Sequence, residues 1–325
     1  MPLLQSDELS LVADIGGTNT RVALSRGAEL QPGSVRRYRN AGRTGLEPVL
    51  QQYLQELGQP AVAGACIALA GPVRDGAGEM TNLDWKIDSN TLRQATGARR
   101  CDILNDLQAQ GYALGHVDPD HITPVFTGRS AIPATHAPSL VIGIGTGFNI
   151  APVIDFPGGR IVMPSETGHI NLPLQDEQDQ RLNRYLTREF GFPALESALS
   201  GRGLQAIYAA MMPENASKTA PEATGIMAAL QERSDPVAEQ AARQFVSLLG
   251  TVTGTLALIQ LPFNGIYLVG GVARAFAPWL DEFNFATAFR NKGRFSEFME
   301  NFSVCLINDD YAALTGCAVH LDGIR

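Results

Sequence analysis

The segment LVADIGGTNTRVAL, residues 11–24, is the most informative about the fold of this chain. An apolar run over residues 9–15 has the composition of a buried strand, and Gly16-Gly17 interrupts it. The extended pattern resumes at residues 21–24. A strand, a glycine turn and a second strand together predict a β-hairpin near the start of the sequence.

The glycine turn of this hairpin has the residue types that a phosphate site needs. Two glycines let the backbone approach an anion closely, and their N–H groups can point at it. Thr18 and Asn19 add side-chain donors, and Asp14 at the end of the first strand can hold Mg²⁺ through water. A plain hairpin turn explains the same residues when they are taken alone.

A second segment partly repeats this layout. Residues 140–144 predict another apolar strand, which ends at Gly145-Thr146-Gly147. Residues 150–154 and 160–163 predict the strands that follow. No repeat of individual residues accompanies the layout, so the pattern indicates an internal duplication only at the level of element order.

The second glycine turn also bears on the kind of nucleotide site. Together with Gly143 it approaches the pattern G-x-G-x-x-G, but Phe148 stands where the last glycine belongs. The Rossmann dinucleotide fingerprint therefore fails. A second phosphate turn and an ordinary tight turn both remain open for this segment.

The rest of the chain alternates between strand and helix signals. Further strands are predicted at residues 35–39, 62–69, 101–104, 266–269 and 304–307, and helices at 46–57, 89–96, 107–114, 176–190, 204–212, 223–233, 236–261 and 309–321. This alternation is typical of an α/β protein. The length of 325 residues predicts two domains, and the absence of a low-complexity linker indicates that ordered crossings join them.

Composition limits the classes of partner. The formal net charge of −8 disfavours nucleic acid and anionic lipid surfaces as partners. ATP is an anion as well, so a site for ATP has to rely on backbone N–H groups and Mg²⁺. None of the three lysines (Lys86, Lys218 and Lys292) lies in a G-x-x-x-x-G-K-[ST] pattern, which excludes a Walker A loop.

The cysteines and the apolar segments indicate a reducing, cytoplasmic setting. No two of the four cysteines form a C-x-x-C pair, so no zinc knuckle is predicted and small buried side chains are expected at Cys66, Cys101, Cys305 and Cys317. The sequence does not begin with the basic and apolar regions of a signal peptide. The apolar stretch at residues 61–70 is too short to span a bilayer.

Asn105-Asp106 is the first candidate for catalysis. The pair lies between a predicted strand and a predicted helix, and α/β folds place reactive groups at the carboxyl ends of strands. The competing interpretation is helix capping, because Asn and Asp are common N-cap residues. The local sequence favours capping.

Glu166 and His169 are the first candidates for substrate recognition. A carboxylate accepts hydrogen bonds and an imidazole donates them, so the two suit a molecule with neighbouring hydroxyl groups. Surface polarity and half of a metal site are the alternatives, and the metal interpretation lacks a partner cluster. Glu196 and the strand-to-helix junction Gly270-Gly271 are unremarkable when taken singly.

Taken together and in order, these segments resemble the bacterial, proteobacterial-type glucokinase family of the actin-like sugar kinases. The resemblance extends from about Leu11 to the C-terminal helix. It rests on LVADIGGTNTRVAL, MTNLDW at residues 80–85, ILNDLQAQGYAL, IGIGTG, ETGHINLP, ESALSGRGL, YLVGGV and NKGRF at residues 291–295. The cysteine-rich zinc loop of the related ROK sugar kinases is absent, which favours the narrower family.

The resemblance implies a fold and a domain division. The expected fold is a two-lobed actin-like, ribonuclease H-like α/β ATPase, with a mixed sheet flanked by helices in each lobe and a cleft between them. Residues 1–110 with 309–325 would form the small domain, and residues 111–308 the large one. The family connection also allows a homodimer.

The resemblance also implies roles for individual residues. Asp106 would be the general base that takes the proton from the 6-hydroxyl of the sugar. The remaining hydroxyls would be bound by Asn105, Glu166, His169 and Glu196, with Asn82 as a further contact. The phosphates and Mg²⁺ would be held by Gly16, Gly17, Thr18, Gly145, Thr146 and Gly147, with Gly270 and Gly271 near the adenosine.

The implied activity is transfer of the γ-phosphoryl group of ATP to glucose. Two places depart from the family pattern: Phe148-Asn149 stands where Leu-Gly is usual, and Ser165 and Thr167 flank Glu166 where glycines are usual. The second departure lies beside the sugar, so mannose, fructose or an amino sugar stays open as the substrate.

Two alternatives to a kinase also stay open. One is a sugar sensor, although related regulators carry an added N-terminal helix-turn-helix, for which a first strand at Leu9 leaves no room. The other is an actin-like phosphohydrolase. A water nucleophile does not need a pocket for several hydroxyls, so the set Glu166, His169 and Glu196 argues against it.

Overall fold

The computed structural model describes residues 7–80, 83–129, 137–213 and 219–323. The chain forms two compact units. The first contains the chain up to His121 together with residues 155–164 and the segment from Asp309 onward. The second contains residues 122–154 and 165–308.

The strands in chain order are β1 (Leu9–Ile15), β2 (Asn19–Arg26), β3 (Glu29–Leu30), β4 (Arg36–Arg39), β5 (Gly64–Leu69), β6 (Val73–Arg74), β7 (Ala77–Glu79), β8 (Lys86–Asp88), β9 (Arg100–Asn105), β10 (Ile122–Phe126), β11 (Ser139–Ile144), β12 (Phe148–Phe156), β13 (Gly159–Val162), β14 (Ile266–Val269) and β15 (Val304–Ile307). The helices are α1 (Glu47–Glu56), α2 (Ser89–Thr96), α3 (Asp106–Ala113), α4 (Glu177–Phe190), α5 (Gly201–Met211), α6 (Ala223–Glu232), α7 (Pro236–Gln260), α8 (Gly271–Phe276), α9 (Phe285–Arg290) and α10 (Ala312–Gly323).

The main sheet of the first unit places two candidate segments at one edge. Its strands run in the order β3-β2-β1-β5-β9, with β4 also paired to β2. Strand β1 is antiparallel to β2 and parallel to β5, and β5 is parallel to β9. Ile15 is level with Leu69, and Leu69 with Asn105. The glycine turn after β1 and the start of α3 after β9 therefore lie at the same edge of the sheet.

Both faces of this sheet are covered. Leu11 and Ile15 pack on the face with buried residues of α1 and α2. Val12 packs on the other face, with residues of α3 and α10 such as Leu314 and Cys317. Since successive side chains of a strand alternate between faces, burial on both faces explains the almost unbroken apolar runs of β1 and β5.

The second unit repeats this strand order. Strand β11 is antiparallel to β12 and parallel to β14, and β14 is parallel to β15. The order β12-β11-β14-β15 thus matches β2-β1-β5-β9 of the first unit. The duplication that element order indicated is present as topology. Strand β10 adds an antiparallel edge next to β15.

Helix α7 is the central core helix of the second unit. Asp235 caps its start by accepting a 2.8 Å hydrogen bond from the Val237 N–H, and Leu261 ends it in the left-handed conformation. Within the described ranges, α7 is the one helix long and apolar enough to cross a membrane. Its most apolar window is 72% buried inside the protein, as expected of a core helix.

The predicted α/β class is confirmed, and the differences concern short elements and boundaries. The last helix begins at Ala312 and not at residue 309, because Asp309 accepts a 2.7 Å hydrogen bond from the Tyr311 N–H in the preceding turn. The sequence did not predict the small sheet of β6, β7 and β8, the edge strand β10 or the short helix α9. Two or three paired residues, or six helical ones, are too few for a periodic signal.

Candidate active site

The first glycine turn, between β1 and β2, is closed by a 3.0 Å hydrogen bond from the Gly16 N–H to the Asn19 carbonyl. Gly17 and Thr18 at its tip are exposed. The turn therefore offers backbone and hydroxyl donors to a ligand, as a phosphate site requires.

Asn40 supports this turn, and sequence reasoning did not find it. Its side-chain amide donates to the Gly16 carbonyl at 2.7 Å, and its backbone N–H donates to the Thr18 carbonyl at 2.9 Å. Its side-chain oxygen accepts a 2.8 Å hydrogen bond from the Thr20 hydroxyl. With Asn40 only 2% exposed, these buried bonds fix the shape of the turn.

Asp14 lies at the end of β1, opposite Arg21 of β2. Its carboxylate is 3.1 Å from the guanidinium of Arg21, and the Asp14 side chain is 16% exposed. Burial disfavours the charged form and raises the pKa of Asp14, while Arg21 partly opposes this rise. A cation held near Asp14 would stabilise its ionised form further.

Of the neighbouring residues Asn105 and Asp106, the structure assigns the helix-capping position to Asn105. Asn105 is the N-cap of α3: its side-chain oxygen accepts a 3.0 Å hydrogen bond from the Leu107 N–H, and Gln108 completes a capping box. The Asn105 amide also donates to the Gly71 carbonyl at 3.0 Å. Asp106 is therefore the first residue of the helix and not its cap.

The Asp106 carboxylate accepts a 2.9 Å hydrogen bond from the Leu107 N–H. The position at the N-terminus of α3 favours a negative charge, because the helix dipole is positive there. Asn82, the further sugar contact implied by the resemblance, lies outside the described residues.

In the second unit, the turn Gly145-Thr146-Gly147 joins β11 to β12. It is closed by a 2.9 Å hydrogen bond from the Gly145 N–H to the Gly147 carbonyl, and Thr146 is exposed. The Gly201 N–H donates to the Gly145 carbonyl at 3.0 Å, so the start of α5 supports the turn from behind.

Glu196 connects this turn to the Glu166–His169 segment. Its carboxylate accepts a 3.2 Å hydrogen bond from the Phe148 N–H, directly after the glycine turn. Its own backbone N–H donates to the Gly168 carbonyl at 2.9 Å. The structure thus brings together three segments that are far apart in the sequence.

Glu166 immediately precedes a short helical turn, Thr167–His169, and His169 is the last residue of that turn. The His169 imidazole nitrogen Nε2 is 4.0 Å from Glu166 Oε2, and their side chains are 67% and 60% exposed. The His169 N–H donates to the Glu166 carbonyl at 3.1 Å. Both polar groups therefore point outward from the segment that Glu196 holds.

Gly270-Gly271 lies at the same sheet edge as the second glycine turn, because β14 runs parallel to β11. Gly270 has a φ of 104°, a conformation that L side chains rarely adopt. A Cβ atom at this position would also collide with the Ile144 carbonyl oxygen. Only glycine fits this junction between β14 and α8.

The residues present fit a metal that arrives with a nucleotide better than a resident metal. Within the described ranges, no group of three or more His, Cys, Asp or Glu side chains could hold an ion. Asp14 is a single carboxylate beside a turn with exposed donors. Mg²⁺ commonly uses one or two carboxylates together with substrate phosphates, which matches this set.

Comparisons with known proteins bear on the family and the fold of this chain. The family model described as Glucokinase matches residues 11–324. The glucokinase of Marinobacter nauticus is 31% identical to this chain over 318 residues, which cover 97% of this chain and 98% of that relative.

Solved structures give the same result. The crystal structure of a glucokinase from an Antarctic psychrotroph matches with a TM-score of 0.84 at 29% identity, covering 98% of this chain and 99% of that one. A ROK-family glucokinase from Streptomyces griseus, solved with glucose and AMPPNP, shares the fold with a TM-score of 0.61 at 20% identity, covering 95% of this chain and 98% of that one. The predicted actin-like fold class is confirmed by these likenesses.

Proposed function

This chain belongs to the glucokinase family, and on that basis we propose that Asp106 is the general base of its reaction. The protein is a sugar kinase that acts on glucose. In the proposed step, Asp106 takes the proton from the 6-hydroxyl as the oxygen attacks the γ-phosphorus of ATP in line, which yields glucose 6-phosphate and ADP.

The observation that carries this proposal is the start of α3. Asn105 is the N-cap, and the Asp106 carboxylate is the first side chain of the helix, where it shares the Leu107 N–H with Asn105. Asp106 lies at the carboxyl end of β9, at the same sheet edge as the glycine turn after β1. Reactive groups of α/β folds are placed at this edge.

We propose that the remaining hydroxyls of the sugar are bound by Asn105, Glu166, His169 and Glu196, with Asn82 as a further contact. Carboxylates accept hydrogen bonds from hydroxyl groups, while an amide and an imidazole can donate to them. The links from Glu196 to Gly168 and to the Phe148 N–H support a common role for these residues of the second unit.

We assign the phosphates of ATP to the two glycine turns, formed by Gly16, Gly17, Thr18 and Asn19 and by Gly145, Thr146 and Gly147, and the adenosine to Gly270 and Gly271. Mg²⁺, when bound with the nucleotide, supplies neutralisation of the phosphate charge. Asp14 would hold it through water. The AMPPNP bound to the Streptomyces griseus relative supports ATP as the donor.

The broader setting follows from the same assignment. We propose that residues 1–110 with 309–325 form the small domain and residues 111–308 the large one. The protein would work in the cytoplasm, where it feeds glycolysis with glucose 6-phosphate, without nucleic acid or membrane partners and with a homodimer as an allowed assembly.

The general-base role is tested with Asp106→Asn. We expect kcat to fall by at least about 10², with unchanged ATP binding and thermal stability, because the amide cannot accept the proton. Asp88→Asn is the matched control, since Asp88 is the N-cap of α2 in the same unit and should leave kcat unchanged. A near-normal kcat for Asp106→Asn would remove Asp106 from the chemistry.

The substrate is tested by measuring ADP production with a panel of hexoses at fixed Mg-ATP. A pocket built for several hydroxyls leaves a polar group unpaired when one hydroxyl is misplaced, so glucose should exceed galactose at least about tenfold in kcat/KM. A different hexose tenfold ahead would replace glucose as the substrate. ADP formation without any sugar would favour the phosphohydrolase interpretation. The absence of ADP formation with every sugar would favour the sugar-sensor interpretation.

The role of the metal is tested by chelation. EDTA should abolish ADP production and leave the cooperative thermal transition in place, because Mg²⁺ is required with the nucleotide and not for folding. A transition that is lost in EDTA and restored by zinc would contradict this.

A further inference from the structure

Asn149, the second residue of β12, bonds to the segment that carries Glu166. Its side-chain amide donates to the Ser165 carbonyl. Its side-chain oxygen accepts a 3.0 Å hydrogen bond from the Thr167 N–H. One side chain thus binds the backbone immediately before and immediately after Glu166.

Ser165 and Thr167 belong to the same network. Their hydroxyl groups are hydrogen-bonded to each other, and the Thr167 N–H also donates to the Ser165 hydroxyl at 3.1 Å. Asn149, Ser165 and Thr167, which all depart from the family pattern, are therefore connected in one hydrogen-bond network. A local rearrangement of any of them changes the partners of the other two.

The same turn lies tightly on the strand that carries Asn149. A Cβ atom at Gly168 would collide with the carbonyl oxygen of Phe148, so only glycine permits this contact. Asn149 and Gly168 therefore attach the turn to β12 at two neighbouring points.

The position of the proposed sugar ligands depends on this attachment. Glu166 and His169 have largely exposed side chains that meet each other only at 4.0 Å. The backbone of the turn, and not burial of these side chains, therefore sets where they lie. A side chain that fixes the backbone on both sides of Glu166 sets the spacing at which hydroxyl groups can be bound.

We propose that Asn149 is a positioning residue for hexose recognition, which together with Ser165 and Thr167 fixes Glu166 and His169 and so determines how strictly the protein selects among hexose epimers. This inference rests on the proposed sugar-binding role of Glu166 and His169. It assigns Asn149 no contact with the sugar and no part in proton transfer.

The test compares Asn149→Ala with wild-type protein. We expect the KM for glucose to rise about tenfold, with kcat changed no more than about twofold and the KM for ATP unchanged, because ground-state positioning is lost while the reacting groups remain. The preference for glucose over galactose in kcat/KM should fall at least about fivefold. Asn149→Asp keeps the acceptor for the Thr167 N–H but turns a carboxylate oxygen towards the Ser165 carbonyl, so it should also raise the KM for glucose.

The control is Asn301→Ala. Asn301 also donates its side-chain amide to a carbonyl of the second unit, that of Phe298 at 2.8 Å, but it lies beside β15 and away from the turn. It should change neither the KM for glucose nor the epimer preference. Thermal unfolding of every variant separates loss of positioning from loss of fold, and Asn149→Asp serves if Asn149→Ala does not fold.

Glucose binding measured by calorimetry separates this inference from the proposed function. If wild-type protein phosphorylates or binds glucose and both Asn149 variants match it in KM, affinity and epimer preference, the positioning role is overturned and the kinase stands. An epimer preference that stays constant while only the melting temperature falls also overturns it. If wild-type protein binds and phosphorylates no hexose, the proposed function fails and the inference fails with it.

Discussion

The two glycine turns of this protein are built on equivalent strands but are held in different ways. After β1, the turn is supported by Asn40, a neutral and buried amide that comes from the loop after β4. After β11, the segment is supported by Glu196, a partly exposed carboxylate that accepts from the Phe148 N–H. The first support can serve only the turn, whereas the second is also a proposed ligand for the sugar.

The strands themselves differ at matching positions. Asp14 pairs across β1 and β2 with Arg21, while the corresponding pair across β11 and β12 is Gly143 with Asn149. In the first unit, the cross-strand partner Arg21 forms a partly exposed ion pair with Asp14. In the second unit, Gly143 has no side chain to meet Asn149. The Asn149 side chain instead bonds to the Glu166 segment. The same strand arrangement thus holds an ion pair in one unit and a contact to the Glu166 segment in the other.

Glu196→Ala should show the largest effect, because it removes the shared support. We expect the KM values for glucose and for ATP each to rise at least tenfold, since the Phe148 N–H loses its partner and the sugar loses a proposed ligand. Steady-state kinetics with each substrate varied in turn measures both. Glu196→Gln keeps an acceptor for the N–H and should restore the KM for ATP but not for glucose. A change in only the glucose KM for Glu196→Ala would show that Glu196 does not support the nucleotide turn.

Asn40→Ala should show an intermediate effect that is confined to the nucleotide. Loss of the bond to the Gly16 carbonyl should raise the KM for ATP about fivefold and lower stability by about 1–3 kcal/mol, while the KM for glucose stays constant. Thr20→Val is the control, because it removes the other bond of the Asn40 side chain and leaves the Gly16 carbonyl paired. Equal rises in the KM for ATP in both variants would assign Asn40 a general structural role.

Asp14→Asn should show the smallest effect on stability, less than about 1 kcal/mol at pH 7, as expected for a partly exposed ion pair. Burial raises the pKa of Asp14, so the folded state binds its proton more tightly than the unfolded state does. Stability from this group is therefore lost as pH rises from the ordinary aspartate pKa through the raised one. Asp14→Asn should have a flatter profile of unfolding free energy between pH 4 and 7, measured by urea titration. An unchanged slope would show that Asp14 does not titrate in this range.

Local patterns in the sequence were sufficient to predict the strands whose side chains are buried on both faces of a sheet. The predicted strands at residues 9–15, 266–269 and 304–307 have the bounds that the structure shows. Strands buried on both faces are recognisable because nearly every position is apolar. Strand β10 was not predicted, because Pro124 and exposed residues interrupt its apolar pattern. Its position in the sheet depends on pairing with β15.

For the candidate site, the sequence indicated the chemistry of the ligands but not the contacts that hold those ligands in place. Residue types and order indicated phosphate turns and hydroxyl ligands. The supports are long-range contacts: Asn40 meets a glycine turn 24 residues earlier, and Glu196 meets a strand 48 residues earlier. No local pattern marks an asparagine or a glutamate whose partner is a backbone group that distant in the sequence. Asn149 was visible as an unusual residue, but its partners were not.

The discontinuous first unit has a consequence for the order of events during synthesis. The sheet face that contains Val12 is closed by α10, where Arg100 donates to the Leu321 carbonyl at 2.8 Å and the Cys317 thiol donates to the Ala13 carbonyl at 3.8 Å. About 200 residues separate α3 from α10, and ribosomes at about 5–20 residues per second need roughly 10–40 s to add them. Throughout that interval the helix that carries Asp106 rests on an incomplete layer. The nascent chain therefore leaves part of an apolar sheet face uncovered until α10 has been made, and the first unit is completed only after the second has been synthesised.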